Sequence, residues 1–287
     1  MFAHLSWMFI HLQIILQVKY IAYQDHVRNA RVPEKIVLKI RSFAITERYR
    51  NIDILYEDNH LLVVYKPANM LSQRDHTGDR DLQSLLKKWL KDKYQKPGDV
   101  FLGLVQRLDR PTRGLMVLAR TSKAASRLSE QIRKRTFVKE YLAVVVGKNI
   151  KSREMTHELE KDPSRKIAVV VTSGRNDLAE NDGKQKPRGS ATSKQAVLNI
   201  TRLETQGEHS LVKIDLKTGR FHQIRIQLAA EGIPISGDHK YGSSGRQTRQ
   251  LALMCHKIAF EHPTRRERMQ FTAGPPKEFP WDQFQGP

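Results

Sequence analysis

From Asp53 onward, short apolar runs alternate with segments in which apolar residues recur at the spacing of a helix. Residues 54–58 and 61–65 are two such runs around a polar turn, and Lys66 and Pro67 follow the second run. Runs of this length bounded by turn residues are typical of short strands. A pair of strands is therefore predicted at the start of the regular pattern.

Two later segments carry the helical spacing of apolar residues. Asp81 can cap a helix in which five apolar side chains share one face: Leu82, Leu85, Leu86, Trp89 and Leu90. Residues 122–135 predict a second helix, with an apolar stripe made by Ala125, Leu128 and Ile132. Residues 115–119 and 141–146 are continuous apolar runs that predict buried strands.

The second half of the chain resumes this pattern after an irregular stretch. Residues 173–193 are rich in Gly, Asn, Lys, Ser and Asp and lack periodicity, so they predict an exposed loop. Strands are predicted at 195–200 and 211–216, followed by a helix over 219–230 that ends at Gly232. Many short strands without regular βαβ alternation favour an α+β fold with a mixed or antiparallel sheet.

The balance of charged residues indicates a polyanionic partner. The 287 residues include 50 Lys and Arg against 30 Asp and Glu, a formal net charge of +20 at pH 7. Positive charges in such excess repel one another in the compact state, and nucleic acid is the commonest partner that offsets this repulsion. Residues 104–148 concentrate the charge, with eleven basic and three acidic side chains. A basic membrane-surface protein would need an amphipathic basic helix or a lipid-anchor motif, and the sequence shows neither.

A single cysteine and an unusual first segment narrow the possibilities further. Cys255 is the only cysteine, so intrachain disulfides and cysteine-based zinc sites are excluded. Its apolar neighbours predict a buried, unreactive thiol. Residues 7–18 are mostly apolar but too few to span a bilayer, and we interpret residues 1–51 as an N-terminal extension.

The first segment that carries chemistry is a polar loop leading into the predicted strand at 115–119. It reads Gln106-Arg107-Leu108-Asp109-Arg110 and continues to Gly114. A lone aspartate between two arginines predicts an ionised carboxylate, because nearby positive charge lowers its pKa. A salt bridge within the loop is the alternative interpretation, and the spacing alone leaves it open.

The second such segment is Gly219-Arg220-Phe221-His222-Gln223-Ile224-Arg225. On a helix, His222 and Arg225 are three residues apart and share a face. Two arginines, a histidine and a glutamine at a helix N-terminus predict a pocket for a phosphate or a carboxylate. An amphipathic surface helix is the alternative interpretation.

Taken together, these segments resemble the RluA family of pseudouridine synthases. The family pattern is His-Arg-Leu-Asp, then Thr-Ser-Gly, a Lys-x-Tyr strand, a Gly-Arg-x-His-Gln-Ile-Arg helix and a Gly-Asp-x-x-Tyr-Gly turn. In the same order this chain carries Gln106-Arg107-Leu108-Asp109, Thr112-Arg113-Gly114, Lys139-Glu140-Tyr141, residues 219–225 and Gly237-Asp238-His239-Lys240-Tyr241-Gly242. The likeness covers residues 52–281 and also includes Lys66-Pro67 and His262-Pro263.

The resemblance implies a fold, an activity and roles for three residues. The fold would be α+β, with a mixed, mainly antiparallel sheet, flanking helices and a central RNA-binding cleft in a catalytic domain at 52–287. The activity would be isomerisation of a uridine in structured RNA, without a cofactor or a metal ion. Asp109 would be the catalytic carboxylate and Arg225 would pair with it. Tyr141 would stack under the target base and help remove a proton.

The resemblance also places RNA-contacting residues in the two motifs. Arg107 would fill the gap left when the target uridine flips out of its stack. Five further RNA contacts are predicted: Gln106, Arg113, Arg220, His222 and Gln223. Gln106 and Arg113 stand where the family usually has His and Ser. Arg113 would either contact a phosphate or pair with an acid inside the protein.

The implied substrate is ribosomal or transfer RNA, with ribosomal RNA favoured. We expect a cytoplasmic monomer that needs no obligatory protein partner and binds no membrane, with organellar targeting by residues 1–51 as the alternative location. The competing class of function is a non-catalytic RNA-binding protein that has kept the fold. Binding alone would not require Asp109, Tyr141 and Arg225 together.

Overall fold

The computed structural model describes residues 43–44, 52–171, 193–242 and 250–286. Within these ranges twelve strands form one sheet: β1 (Phe43–Ala44), β2 (Asp53–Glu57), β3 (Leu61–Lys66), β4 (Gly103–Leu104), β5 (Arg113–Ala119), β6 (Val138–Val146), β7 (Arg153–Asp162), β8 (Ile167–Val170), β9 (Lys194–Gln206), β10 (His209–Leu216), β11 (Leu253–Glu261) and β12 (Arg268–Thr272). The helices are α1 (Leu82–Lys93), α2 (Ser122–Arg133) and α3 (Gln223–Ala230), with a 3₁₀ turn at Trp281–Gln283. The predicted loop at 173–193, apart from its last residue, lies outside the described residues.

The strand order is β1-β2-β3-β5-β11-β6-β10-β9-β7-β8, with β12 beside β11 and β4 beside β5. Neighbouring strands run antiparallel except β5 and β11, which run parallel. Strand β5 is buried at all seven positions, as its continuous apolar run predicts. The predicted α+β class, with a mixed and mainly antiparallel sheet, is confirmed.

The parallel pair at the centre of the sheet depends on a glycine. Gly114 in β5 pairs with Cys255 in β11 and has a φ of +119°. A Cβ atom at this position would lie 2.4 Å from the carbonyl oxygen of Cys255. The two backbones therefore approach too closely for a side chain, and only glycine adopts this backbone conformation readily. The contact fixes the point at which the Asp109 loop enters the sheet.

The first two helices begin where the sequence predicts. The Asp81 carboxylate accepts a hydrogen bond from the Ser84 backbone N–H at 2.9 Å, which caps α1. Thr121 caps α2 in the same way, through the backbone N–H of Ala124 at 3.1 Å. None of the helices in the described ranges has the length and apolar composition needed to cross a membrane.

The third helix begins later than predicted. Helix α3 starts at Gln223 rather than Gly219, because His222 has a φ of +52° and ends the preceding loop in the left-handed conformation. The predicted end is confirmed. The backbone N–H of Gly232 donates to the carbonyl of Ala229, and that of Ile233 donates to the carbonyl of Leu228.

Six of the twelve strands were not predicted: β1 and β4, which have two residues each, and β7, β8, β11 and β12. The composition of the last four explains why. Strand β7 has the sequence REMTHELEKD, in which Met155 and Leu159 are its two buried residues. Strand β8 has four residues, and β11 and β12 interrupt apolar positions with Lys257, His256 and Gln270. Such strands are stabilised by their neighbours in the sheet rather than by a strong pattern of their own.

Candidate active site

An open cleft of about 1200 Å³ crosses the molecule beside the centre of the sheet. Three stretches form most of its wall: residues 71–75, 104–112 and 215–225. Tyr141 and Lys240 also line the cleft. The cleft therefore brings together the motif around Asp109 and the motif at 219–225, although more than 100 residues separate them along the chain.

Asp109 lies in this cleft with its side chain 28% exposed. Its Oδ2 is 3.7 Å from an Nη atom of Arg225 and 3.9 Å from Nε2 of His222. The hydrogen bond from the Thr112 N–H to the Asp109 carbonyl, 3.0 Å long, closes the turn that presents the carboxylate. One charged neighbour and one ring nitrogen thus flank the carboxylate while one side stays open to the cleft.

The flanking arginines do not set the ionisation of Asp109. Arg107 is exposed, and Arg110 pairs with Asp79 at 2.6 Å. Burial raises the pKa of Asp109 above its usual range, and Arg225 and Lys66 oppose that rise. The predicted direction, a lowered pKa, is wrong because desolvation outweighs the nearby positive charges.

Arg225 makes its main ion pair with Asp238. Its Nε and one Nη donate to the two carboxylate oxygens of Asp238 at 2.8 and 2.7 Å, and both side chains are buried. The remaining Nη is the atom that faces Asp109. The predicted pairing of Arg225 with Asp109 is thus a longer contact, made by a guanidinium that Asp238 already holds in place.

Tyr141 lies in β6 opposite Cys255 of β11 and lines the cleft. Burial raises the pKa of Tyr141 well above its usual value, and Cys255 and Asp109 raise it further. Its hydroxyl is therefore protonated at neutral pH, which fits stacking under a base better than removal of a proton as a phenolate. Cys255 is buried, as predicted, and burial raises the pKa of its thiol to about 12.

His222 lies in the cleft wall and is held by two aromatic neighbours. Its Nδ1 lies 2.7 Å from the Tyr241 hydroxyl, and its ring stacks on Phe221 with the centroids 3.8 Å apart. Burial lowers the pKa of His222 to about 3, and Arg225 and Lys240 add to the effect. The imidazole is therefore neutral, and its side chain is only 9% exposed.

Two residues predicted to contact RNA are bonded within the protein: Arg113, which lies outside the cleft, and Gln223, which lies in its wall. Arg113 does not line the cleft, because it is buried and pairs with Glu278 at 2.7 Å. Of the two alternatives for Arg113, a phosphate contact or an internal ion pair, the structure shows the ion pair. Gln223 is also buried, and its side-chain oxygen accepts from the Thr218 hydroxyl and the Arg220 backbone N–H at 2.8 and 2.9 Å. Its amide nitrogen donates to the Val197 carbonyl. The amide therefore holds the loop before α3.

The remaining predicted RNA contacts line the cleft. Arg107 and Arg220 are exposed there, and Arg220 Nε also donates to the Gln195 carbonyl at 3.0 Å. Gln106 is buried in the cleft wall, where neither of its amide atoms has a hydrogen-bond partner among the described residues. Arg107 and Arg220 are thus the two predicted contacts that are most open to a ligand.

Three residues of the site were not predicted from the sequence. Lys66 is fully buried, and its Nζ donates to the carbonyls of Pro67, Met70 and Arg110 at 3.0, 2.6 and 3.2 Å. Burial lowers the pKa of Lys66 to about 7, which Asp109 opposes. Asp238 holds Arg225, and Phe221 is an exposed aromatic ring in the cleft. Lys66 and Asp238 stand in recognised motifs, but spacing gives no sign of what their side chains touch.

Comparison with known proteins agrees with this geometry. The family described as RNA pseudouridylate synthase matches residues 60–230. "Ribosomal large subunit pseudouridine synthase D" of Xylella fastidiosa is 29% identical over 277 residues, which cover 91% of this chain and 73% of that protein. "Uncharacterized RNA pseudouridine synthase MG209 homolog" of Mycoplasma pneumoniae is 32% identical over 231 residues, which cover 79% of this chain and 68% of that protein.

A solved structure supports the same assignment. The structure named "Human RNA Pseudouridylate Synthase Domain Containing 4" superposes with a TM-score of 0.64 at 25% identity. The match covers 78% of this chain and 88% of that one. The family match spans more than half of the chain, and the fold expected from the resemblance is the fold observed. The chain belongs to the RNA pseudouridylate synthase family, the RNA uridine isomerases.

Proposed function

We propose that this protein converts uridine to pseudouridine in large-subunit ribosomal RNA, with Asp109 as the reacting carboxylate. The observation that carries the proposal is the position of Asp109, partly open to a basic cleft and flanked by Arg225 and His222. A carboxylate held near a buried arginine is preorganised to act on charge that develops in the substrate.

The isomerisation sets what the site must do. The bond between N1 of the base and C1′ of the ribose breaks, and a bond between C5 and C1′ forms. A proton leaves C5, and N1 gains one. Asp109 either attacks the nucleoside or removes a ribose proton, and both routes need its ionised form. Arg225 favours that form and opposes the effect of burial.

The walls of the cleft supply binding and orientation. A base inside a helical stack must be turned out before chemistry can reach its sugar, at a cost of a few kcal/mol. Exposed Arg107, two residues before Asp109, fits the role of filling the vacated place. Tyr141, buried in the cleft wall with a protonated hydroxyl, fits the role of a surface on which the flipped uracil stacks.

Relatives named as large-subunit ribosomal enzymes, such as the Xylella protein, favour ribosomal over transfer RNA as the substrate. Mapping of pseudouridines in RNA from cells with and without this protein tests it. We expect at least one pseudouridine of the large-subunit ribosomal RNA to disappear with the protein. Loss confined to transfer RNA would overturn the choice of substrate but keep the activity.

We also propose a monomer that acts in the cytoplasm. A buried, unpaired Cys255 fits a reducing compartment. Light scattering of the purified protein tests the monomer, which requires a mass near 33.2 kDa. Twice that mass would contradict it.

Salt dependence of RNA binding separates cleft arginines from structural ones. Replacing Arg220 by Gln removes one exposed charge from the cleft, so the slope of log affinity against log salt should fall by about 0.7. Arg113→Ser should leave the slope unchanged, because Arg113 is paired with Glu278 outside the cleft. Fluorescence anisotropy with labelled ribosomal RNA fragments measures both. Equal slopes for Arg220→Gln and the unaltered protein would remove Arg220 from the RNA contacts.

Phe221 offers a surface on which an RNA base can stack. Its ring is exposed in the cleft, and Lys161 lies over it with Nζ 5.0 Å from the centroid. Stacking of a base on an aromatic ring is worth about 1–3 kcal/mol, so Phe221→Ala should weaken RNA binding by roughly 5- to 150-fold. The matched control is Phe101→Ala, which removes an exposed ring outside the cleft wall. Equal losses of affinity in the two variants would contradict a specific role for Phe221.

A further inference from the structure

The turn at 237–242 is built around the carboxylate that holds Arg225. Oδ1 of Asp238 accepts hydrogen bonds from the backbone N–H groups of Lys240 and Tyr241 at 3.0 and 3.2 Å. Gly237 has a φ of +77°, and a Cβ atom there would lie 2.2 Å from the Gln250 carbonyl oxygen. The turn therefore has one close-fitting backbone path, and that path determines where the side chain of Tyr241 lies.

The Tyr241 hydroxyl bridges two groups from different parts of the chain. The backbone N–H of Ala168 in β8 donates to the hydroxyl oxygen at 2.7 Å. Nδ1 of His222 lies 2.7 Å from the same oxygen. A phenol has one proton to donate, and a backbone N–H can only donate. Among the described residues, His222 Nδ1 is therefore the acceptor that can take the Tyr241 proton.

If Tyr241 donates to Nδ1 of His222, the position of the proton on the imidazole follows. A neutral imidazole has one N–H and one bare nitrogen, so a ring that accepts at Nδ1 is protonated at Nε2. Nε2 is the atom that lies 3.9 Å from Oδ2 of Asp109. The ring cannot easily turn away, because Phe221 stacks on one face and the Tyr241 ring meets it at 86°.

We propose that Tyr241 is a positioning residue that fixes His222 in the Nε2–H form and aims this N–H at the Asp109 carboxylate. At 3.9 Å the contact is longer than a direct hydrogen bond, and contacts of this kind in unliganded sites often shorten when the substrate binds. The same turn holds Arg225 through Asp238, and the guanidinium carbon of Arg225 lies 5.1 Å from the centroid of the Tyr241 ring. One turn thus orients both groups that flank Asp109.

The position of the proton is measured directly by long-range ¹H–¹⁵N NMR of the uniformly labelled protein. His222→Gln identifies the His222 signals among the 11 histidines. In the unaltered protein we expect the Nδ1 shift of a bare nitrogen and the Nε2 shift of a protonated one. In Tyr241→Phe the two shifts should move toward each other, because neither form is then selected. A proton on Nδ1 in the unaltered protein would overturn the proposal, whether or not the protein is active.

The consequence for the reaction rests on the proposed function and is tested by single-turnover kinetics on a transcript of large-subunit ribosomal RNA. Loss of the hydroxyl in Tyr241→Phe should lower the rate constant at saturating protein roughly three- to tenfold, the worth of one hydrogen bond, and leave the RNA dissociation constant unchanged. The matched control is Tyr94→Phe, which removes an exposed hydroxyl that bonds Glu57 at 2.6 Å. That variant should react at the normal rate.

A double-mutant cycle tests whether the Tyr241 hydroxyl affects the rate through His222 or only by its hydrogen bond to Ala168 in β8. If Tyr241 acts through the imidazole, Tyr241→Phe should change the rate less than twofold in a His222→Gln background. An equal loss in both backgrounds would mean that Tyr241 acts through Ala168, and would overturn the proposal. No product from the unaltered protein on this transcript would instead contradict the proposed substrate, and the NMR result would still decide the tautomer.

Discussion

Asp109→Asn should lower the single-turnover rate constant of pseudouridine formation by at least about 10³-fold, as expected when the reacting group of an enzyme is removed. The amide keeps the size of the carboxylate but has neither its negative charge nor its ability to accept a proton. RNA affinity should change less than about twofold, because Arg107 and Arg220 are untouched. Salt also screens the long-range effect that the lost negative charge has on the RNA phosphates. Release of tritium from C5-labelled uridine measures the rate.

The matched control for this variant is Asp99→Asn, which changes an exposed aspartate in the turn before β4. It should react at the normal rate. Turnover of Asp109→Asn within tenfold of the unaltered protein would show that another group carries the reaction.

Asp238→Ala should lower the free energy of unfolding by about 3–5 kcal/mol, the usual cost of leaving one member of a buried ion pair alone. The variant leaves the buried guanidinium of Arg225 without its ion-pair partner and removes the acceptor for the N–H groups of Lys240 and Tyr241. Urea denaturation measures the loss, and RNA turnover should fall with it because Arg225 no longer has a fixed orientation.

A solvent-exposed ion pair provides the comparison for Asp238. Glu130 pairs with Lys134 at 2.8 Å on the surface of α2, so Glu130→Ala should unfold at nearly the same urea concentration as the unaltered protein. If Asp238→Ala also left the midpoint unchanged, the Arg225–Asp238 pair would not be a stabilising element of the site.

The strands and helices with strong local patterns could be predicted from the sequence. The apolar run of β5 and the capping residue Asp81 act within a few residues, so their signals are complete in a short window. Strand β7 could not be found this way, because it is held by pairing with β8 and β9, which follow it in the chain.

The motifs located the site but did not reveal which way its side chains point. Arg113 stands four residues from Asp109 yet pairs with Glu278, which the folded chain brings from the far end of the sequence. Gln223, the first residue of α3, is turned inward and accepts hydrogen bonds from Thr218 and Arg220. Neither spacing nor residue type determines such partners, which depend on the tertiary fold.

The ionisation states of the site residues could not be predicted from the sequence either. Two neighbouring arginines predicted a lowered pKa for Asp109, whereas its burial raises it. Desolvation depends on the groups packed around a side chain, and those near Asp109 come from β3, the loop before α3, α3 itself and the turn at 237–242. The same burial keeps His222 neutral and Tyr141 protonated.

The most direct test of the account is nucleoside analysis of a large-subunit ribosomal RNA transcript after incubation with the purified protein. We expect pseudouridine to appear with the unaltered protein, without added cofactor or metal ion, and to be absent with Asp109→Asn. A transcript that is bound by both proteins but contains no pseudouridine after either incubation would contradict the account.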